Sequence, residues 1–327
     1  MRGRIPVAFL TGFLGSGKTT LLARVLAQGG FADTAVIINE FGEVGIDHLV
    51  VADLAENIVE LRDGCLCCTI RGDLLMTLRD LHRRRILGEI PAFRRVLVET
   101  TGLADPIPLV HTLMTNRPLL TVYALDAVVC VVDGELGLAT LAEHDTAQDQ
   151  VALADVLVLS KVDVAPRENV DALRARLATM NPGAEVYEAA QGAIDPARLL
   201  DRGLFQPAAR DATIARWLAA TAHQHDHGAR YGAHVIRHAG AWSLAGTSVF
   251  LNRVVNEFRD RLLRIKGIAA FREKGGKPAL MHAVQDKFYP LAWLETWPDA
   301  DEEGRLVFIG RDLDVNRIDE LFNSLCV

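Results

Sequence analysis

The sequence predicts an α/β fold, in which helices flank a mostly parallel sheet, followed by a smaller α+β domain. Apolar strand-like segments alternate with helix-like segments over about the first 205 residues, the pattern of a parallel sheet with helices on both faces. A phosphate-binding sequence follows the first strand. The regular alternation stops near Gln206. We therefore predict an N-terminal domain at residues 1–205, a linker at 206–231 and a C-terminal domain at 232–327.

The sequence Gly12–Thr19 matches the phosphate-binding pattern G-x-x-x-x-G-K-[ST]. A buried strand, Ile5–Leu10, precedes it, and apolar residues at helical spacing follow it. Glycines let backbone N–H groups surround an anion, and the positive end of the following helix points towards it. Lys18 can then reach the β- and γ-phosphates, and the Thr19 hydroxyl can bind Mg²⁺. The predicted nucleotide-binding residues of this segment are Gly12, Gly15, Ser16, Gly17, Lys18, Thr19 and Thr20.

Further strands and helices alternate along the predicted N-terminal domain. The strands are expected at Ala35–Ile38, Ile58–Leu61, Val96–Val98, Val128–Val132 and Val156–Leu159. Helices are expected around Leu74–Leu81 and Leu173–Met180, where apolar residues recur at helical spacing. Because loops at the carboxyl ends of parallel strands meet ligands, the polar segments that leave these strands are candidates for the binding site.

The C-terminal domain has a different pattern of elements. Its strands are expected at Val235–His238, Ile265–Phe271, Ala279–Val284, Leu291–Trp293 and Arg305–Ile309. Helices are expected around Phe250–Leu262 and Ile318–Leu325. The polar stretch before this domain holds His223, His225, Asp226 and His227. It is either a weak, open metal site or a solvated loop between the domains.

The segment Ser160-Lys161-Val162-Asp163 ends a buried strand and indicates which base is bound. The Asp163 carboxylate can accept hydrogen bonds from N1–H and the exocyclic amine of guanine, whereas adenine offers no matching pair of donors. The Lys161 stem can lie over the purine ring. The segment resembles the [NT]-K-x-D guanine signature of GTPases, with serine in the first position. The alternative is a solvated turn after the strand.

Glu99 ends another strand and is followed by Thr100-Thr101-Gly102. Burying a carboxylate at the end of a strand costs free energy unless the carboxylate contacts a cation or a network of water molecules. We therefore expect Glu99 on the Mg²⁺ side of the nucleotide, with the Gly102 N–H near the γ-phosphate. A strand-end acid exposed in a loop is the alternative.

Three of the five cysteines lie within Cys65-Leu66-Cys67-Cys68. Thiolates are soft ligands suited to Zn²⁺, Co²⁺ or Cu⁺, and Zn²⁺ takes four ligands. Glu40 and His111 are candidates for further ligands from neighbouring loops. A redox pair and buried small side chains are the alternatives.

Charge and composition argue against two classes of partner. The net charge of −7 disfavours general nucleic-acid binding, which needs a basic face. The sequence contains no run of 18 apolar residues, so no membrane span is predicted. The first strand directly follows Met1-Arg2-Gly3-Arg4, which leaves no room for a signal peptide, so a cytoplasmic location is expected.

Together these motifs resemble the CobW family of GTP-dependent metal chaperones. The segments that carry the resemblance are Gly12–Thr19, Asn39–Gly42, Gly64–Cys68, Glu99–Pro106, Ser160–Asp163 and, in the second domain, Val307–Leu313. The resemblance implies a P-loop GTPase fold of a dimerising class, with slow hydrolysis of GTP. It also implies delivery of Zn²⁺ or Co²⁺ from Cys65, Cys67 and Cys68 to a client, with Glu40 in a mobile switch segment.

We therefore predict a GTP-hydrolysing metallochaperone that uses GTP, Mg²⁺ and Zn²⁺ or Co²⁺. The expected partners are a client metalloprotein or metal-inserting enzyme and a second copy of the chain. The residues assigned are Lys18, Thr19, Glu99 and Gly102 for catalysis, Ser160, Lys161 and Asp163 for the base, and Cys65, Cys67, Cys68, Glu40, His111 and Thr19 for metals. Two alternatives stay open: an ATP-dependent small-molecule kinase, and a nucleotide-binding zinc buffer that does not deliver its metal.

Overall fold

The computed structural model describes residues 4–28, 33–38, 58–60, 69–200, 230–298 and 300–326, with 58–60 and 69–73 described by their backbone alone. The chain forms two compact units. Within the described residues, the first unit contains a seven-stranded sheet and the second a six-stranded sheet. The predicted fold class is confirmed, while the predicted domain boundaries stay a prediction.

All strand pairs of the first sheet are parallel. In chain order the strands are β1 (Ile5–Thr11), β2 (Thr34–Ile38), β3 (Ile58–Glu60), β4 (Arg95–Glu99), β5 (Tyr123–Asp133), β6 (Val156–Ser160) and β7 (Glu185–Ala189). Across the sheet the order is β3-β2-β4-β1-β5-β6-β7. Because these strands are parallel, the loops that leave their carboxyl ends lie at the same edge of the sheet. The loops after β4, β1, β5 and β6 are neighbours there, since these four strands are adjacent in the sheet.

Helices connect these strands. Those described between β1 and β7 are α1 (Lys18–Ala27), α2 (Thr69–Leu87), α3 (Ile107–Thr115), α4 (Arg117–Val122), α5 (Gly137–Glu143), α6 (Asp145–Leu153) and α7 (Arg167–Met180). The apolar residues of α1 pack with β1, β5 and β6 in one buried cluster, in which Leu21 contacts the same core as Val129 and Val158. This packing fixes the start of α1 against the central strands.

The predicted strands of the first unit are confirmed, but β7 and helices α3 to α6 were not predicted. β7 (Glu185–Ala189) is only partly buried and has the sequence Glu-Val-Tyr-Glu-Ala, which carries little apolar signal. Helices α5 and α6 have seven and nine residues. Helices this short show the helical repeat over too few turns for the sequence pattern to identify them.

Over the described residues 230–326, the second unit forms an antiparallel sheet with two helices packed against it. Its elements are β8 (Tyr231–Ala239), α8 (Leu244–Phe258), β9 (Leu262–Phe271), β10 (Lys277–Val284), β11 (Lys287–Phe288), β12 (Ala292–Trp293), β13 (Glu303–Arg311) and α9 (Val315–Leu325). Phe322 of α9 lies edge-on to Phe250 and Trp242, with ring centroids 5.5 and 4.8 Å away. These rings belong to a buried cluster that joins α8 and α9 to the sheet.

His234 and His238 are residues of β8. The Nε2 atom of His234 lies 2.7 Å from the Asp319 carboxylate of α9. None of the described helices is both long and apolar enough to cross a membrane.

Candidate functional site

The phosphate loop, residues 12–17, connects β1 to α1 and is closely packed. Gly12 has a φ of 141° and Gly17 a φ of 91°, and L-residues other than glycine rarely adopt these values. A Cβ atom at Gly12 would also lie 2.3 Å from the carbonyl oxygen of Val131 in β5. The loop therefore needs glycine at position 12 both for its backbone conformation and for its contact with the neighbouring strand.

Lys18 is buried at the first position of α1. Its Nζ donates hydrogen bonds to the carbonyl oxygens of Gly12 at 3.0 Å and Phe13 at 3.3 Å. These bonds hold the ammonium group inside the loop, beside a cavity of about 310 Å³. The residues that line this cavity include Gly15, Gly17, Lys18, Thr19, Thr20, Glu99, Thr100 and Gly102.

Thr19 and Glu99 meet at one side of this cavity. The Thr19 hydroxyl donates to Glu99 Oε1 at 3.2 Å, and Glu99 is buried at the carboxyl end of β4. The next residue, Thr100, is fixed by its backbone N–H, which donates to the Leu10 carbonyl at 2.9 Å. A hydroxyl and a carboxylate oxygen are ligands that Mg²⁺ prefers, so this pair fits a magnesium ion beside the phosphates.

Gly102 brings the loop after β4 against the phosphate loop. A Cβ atom at position 102 would lie 2.6 Å from both the Cα and the backbone nitrogen of Leu14. Only glycine allows this approach of one backbone to the other. The structure thus gathers Lys18, Thr19, Glu99 and Gly102, the four residues predicted for catalysis, around one cavity.

Ser160 ties the base-side loop to the phosphate loop. Its hydroxyl lies 2.6 Å from the Ser16 carbonyl oxygen and 3.3 Å from that of Val132. The serine in the first position of the guanine-type segment therefore has a structural role, because it links the end of β6 to the phosphate loop and to β5.

Lys161 is held by an acidic residue that the sequence analysis did not identify. Lys161 has a φ of 53°, and its Nζ lies 2.6 Å from Asp133 Oδ2 at the end of β5. The other carboxylate oxygen of Asp133 accepts from the backbone N–H groups of Glu135 and Leu136 at 2.8 and 3.1 Å. The sequence signal was an aspartate that ends the apolar strand β5 directly before a glycine.

The pKa of Asp133 lies below its ordinary value. Burial alone would raise this pKa, but the hydrogen bond from Lys161 and the two backbone N–H donors together outweigh burial. The carboxylate is therefore ionised at neutral pH, and it forms an ion pair with Lys161, which also lines the cavity beside Lys18.

A second cavity, of about 300 Å³, lies beside Ser160, Lys161 and Asp163, the residues predicted to bind the base. Asp163 lines it and accepts a long hydrogen bond, 3.4 Å, from the backbone N–H of Gln191. Gln191 and Gly192 follow β7 with φ values of 49° and 75°, and they complete the wall. The lining also includes Gly17, Thr20, Leu21, Ser160 and Lys161. Sequence reasoning missed Gln191 and Gly192 because it missed the strand before them.

Most of the predicted metal ligands lie outside the described residues. These are Glu40, Cys65, Cys67 and Cys68, and the histidines of the linker, His223, His225 and His227. His111 is described, and it is buried in α3. The described residues contain no group of three or more His, Cys, Asp or Glu side chains that could hold a metal ion. The roles assigned to these residues stay predictions.

The two cysteines described as free, Cys130 and Cys326, are buried. Burial raises the pKa of the Cys130 thiol to about 12, although the Lys18 charge opposes this. Cys130 is therefore a neutral core residue of β5 at physiological pH.

Two family models match the two parts of the chain. The model described as CobW/HypB/UreG, nucleotide-binding domain, matches residues 6–188. The cobalamin synthesis protein cobW C-terminal domain matches residues 231–326. The chain belongs to the CobW family. The resemblance predicted from the motifs is thereby confirmed.

Relatives in the CobW family are similar over nearly the whole chain. The zinc chaperone YjiA of Escherichia coli K12 is 34% identical over 98% of each protein. The zinc chaperone CobW of Pseudomonas aeruginosa is 31% identical over 95% of this chain and 88% of its own length. A crystal structure of the Zn(II)-bound E. coli YjiA GTPase, 28% identical, superposes with a TM-score of 0.73 and covers 99% of both chains.

Replacing Asp133 with asparagine is expected to lower stability in a pH-dependent way. Because the folded state lowers the pKa of Asp133, its contribution is complete above the ordinary aspartate range and is lost as pH falls through the lowered pKa. Urea unfolding should therefore show a larger stability difference between wild type and Asp133→Asn at pH 7 than at pH 3. An equal difference at both pH values would contradict the ionised state of Asp133. Asp171→Asn, on the exposed face of α7, is the matched control.

Proposed function

We propose that this CobW-family protein hydrolyses GTP and uses the bound nucleotide to control the delivery of Zn²⁺ to a client metalloprotein. The observation that carries the proposal is a pair of cavities that share Gly17, Thr20 and Lys161. Lys18, Thr19 and Glu99 line the first cavity, and Asp163 lines the second. The names of the similar zinc chaperones support the zinc part of the proposal.

The phosphates would lie on the loop between β1 and α1. The backbone N–H groups of the loop and the first turn of α1 would bind the phosphate oxygens. Lys18 would stabilise the negative charge that moves onto the β–γ bridging oxygen as that bond breaks. Thr19 and Glu99 would hold Mg²⁺, which neutralises phosphate charge when bound. Gly102, pressed against Leu14, would present its backbone N–H to the γ-phosphate.

We expect slow turnover from the isolated chain. The described residues that line the phosphate cavity include neither an arginine nor a glutamine. These are the side chains that position the attacking water or stabilise transition-state charge in many GTPases. We propose that a second copy of the chain or a client, the predicted partners, supplies a group that speeds hydrolysis at this cavity.

We assign the metal cargo to Cys65, Cys67 and Cys68, with Glu40 and His111 as further ligands. The cysteine cluster lies between β3 and α2 in the sequence, and Glu40 follows β2. The strands that precede these two segments in the sequence, β2 and β3, lie in the same parallel sheet as β1, whose carboxyl end leads into the phosphate loop. Zn²⁺ is the favoured cargo, because thiolates suit it and similar proteins are named zinc chaperones. Co²⁺ would fit the same ligands.

The base preference tests the GTPase part against the kinase alternative. Asp163→Asn replaces one acceptor oxygen with a donor that faces the donors of guanine. We expect the preference for GTP over xanthosine triphosphate to fall by at least about tenfold or to invert, because a lost charge-assisted hydrogen bond costs about 1.5–3 kcal/mol. Competition binding measures this preference. Asp195→Asn, at a surface turn, is the control and should change nothing. Wild-type protein that prefers ATP would instead favour the kinase.

Zinc affinity in different nucleotide states tests the chaperone part. GTP has a γ-phosphate that can order the loops around it, and GDP does not. We therefore expect Zn²⁺ to bind about 5- to 150-fold more tightly with a non-hydrolysable GTP analogue than with GDP, the usual range of coupling between two sites. A chelator competition titration measures this ratio.

Cys67→Ser and Cys68→Ser are the controls for this titration, and both should remove the tight zinc site. Replacing His223, His225 and His227 together by alanine should preserve it. Equal zinc affinities with GTP analogue, with GDP and without nucleotide would contradict delivery and favour the zinc-buffer alternative.

A further inference from the structure

Helix α6 provides a buried side chain that holds the loop after β4. Gln150 of α6 is completely buried. Its Nε2 donates hydrogen bonds to the carbonyl oxygens of Gly102 and Ala104, each at 3.2 Å. Because both neighbours are acceptors, the side-chain amide must present its NH₂ group to them, which settles its orientation.

These two bonds fix the backbone from Gly102 to Ala104 on one side. On the other side, Gly102 touches the backbone of Leu14 in the phosphate loop. The loop after β4 is thus held between Gln150 and the phosphate loop. A glutamine that donates to two carbonyls of one loop restrains where that backbone lies more strongly than a single hydrogen bond would.

The residue before α6 makes an independent contact with the phosphate loop. The His144 ring stacks on the Phe13 ring, with centroids 4.5 Å apart and an interplanar angle of 17°. One short helix is therefore joined to both loops that border the phosphate cavity. Gln150 and Phe13 also line a common cavity of about 120 Å³ behind the phosphate loop.

We propose that Gln150 is a positioning residue that holds Gly102 where its backbone N–H can bind the γ-phosphate. The proposal rests on the GTPase function proposed above and extends it to a residue that touches neither the nucleotide nor the metal. Binding of GDP uses the phosphate loop and the base cavity, which Gln150 does not contact by hydrogen bond. Gln150 therefore serves the GTP state selectively.

The test compares Gln150→Met with Gln148→Met. Methionine keeps the length of the side chain but donates no hydrogen bond. Gln148 lies on the same helix, is also buried, and forms no hydrogen bond with the loop at 102–104 within the described residues. The readouts are kcat and KM for GTP, the Kd for GDP, the Kd for a non-hydrolysable GTP analogue, and thermal unfolding.

For Gln150→Met we expect kcat to fall at least about tenfold and the GTP analogue to bind about 5- to 50-fold more weakly, because two hydrogen bonds are lost. The Kd for GDP should stay within about twofold of wild type, because GDP has no γ-phosphate for the Gly102 N–H to bind. Gln148→Met should match wild type in all four nucleotide measurements.

Equal weakening of GDP and GTP-analogue binding, or no change in either, would overturn the role of Gln150. If Gln150→Met does not fold, Gln150→Asn replaces it, because asparagine keeps the amide donor but withdraws it by one methylene group. Wild-type protein that does not hydrolyse GTP would overturn the proposed function instead. In that case the ratio of GDP to GTP-analogue affinity still decides the role of Gln150.

Discussion

The close packing of the phosphate loop against two neighbouring strand ends determines the rest of the site. A Cβ atom at Gly12 would lie 2.3 Å from the Val131 carbonyl oxygen, and one at Gly102 would lie 2.6 Å from the Leu14 backbone. These contacts leave no room to move the loop without moving β5 or the segment after β4. The positions of Lys18, Thr19 and Glu99 follow from this constraint, since Lys18 and Thr19 begin the helix that follows the loop and Glu99 ends β4.

The base side is joined to the same loop by polar contacts. Ser160 bonds to the carbonyl oxygen of Ser16, and Asp133 holds Lys161 by an ion pair and hydrogen bond. Ser160 thus joins the residues proposed to bind the base to the phosphate loop, and Gln150 joins α6 to Gly102, which is proposed to bind the γ-phosphate. This arrangement suits a protein whose affinity for Zn²⁺ is proposed to depend on the bound nucleotide.

The sequence was sufficient for the parts of the structure that local patterns encode. The phosphate loop has a fixed spacing of residue types, the inner strands are continuous apolar runs, and Glu99 and Asp163 each follow such a run. Sequence reasoning did not identify Asp133, Gln150 or Gln191, because each has its partner far away in the sequence. Asp133 pairs with Lys161, 28 residues away, and Gln150 with Gly102, 48 residues away. Gln191 donates to Asp163, 28 residues away. Only the strand order brings such pairs together, and no local repeat encodes it.

The most direct test of the account is the affinity for nucleotide with and without metal, since coupling between two sites must be reciprocal. Calorimetric titrations of a non-hydrolysable GTP analogue and of GDP would be made on metal-free protein and on protein with one equivalent of Zn²⁺. The account predicts that Zn²⁺ tightens binding of the GTP analogue and leaves binding of GDP nearly unchanged. The factor should equal the ratio of the Zn²⁺ affinity measured with the analogue to the Zn²⁺ affinity measured with GDP. Unchanged affinity for the GTP analogue in the presence of Zn²⁺ would contradict it.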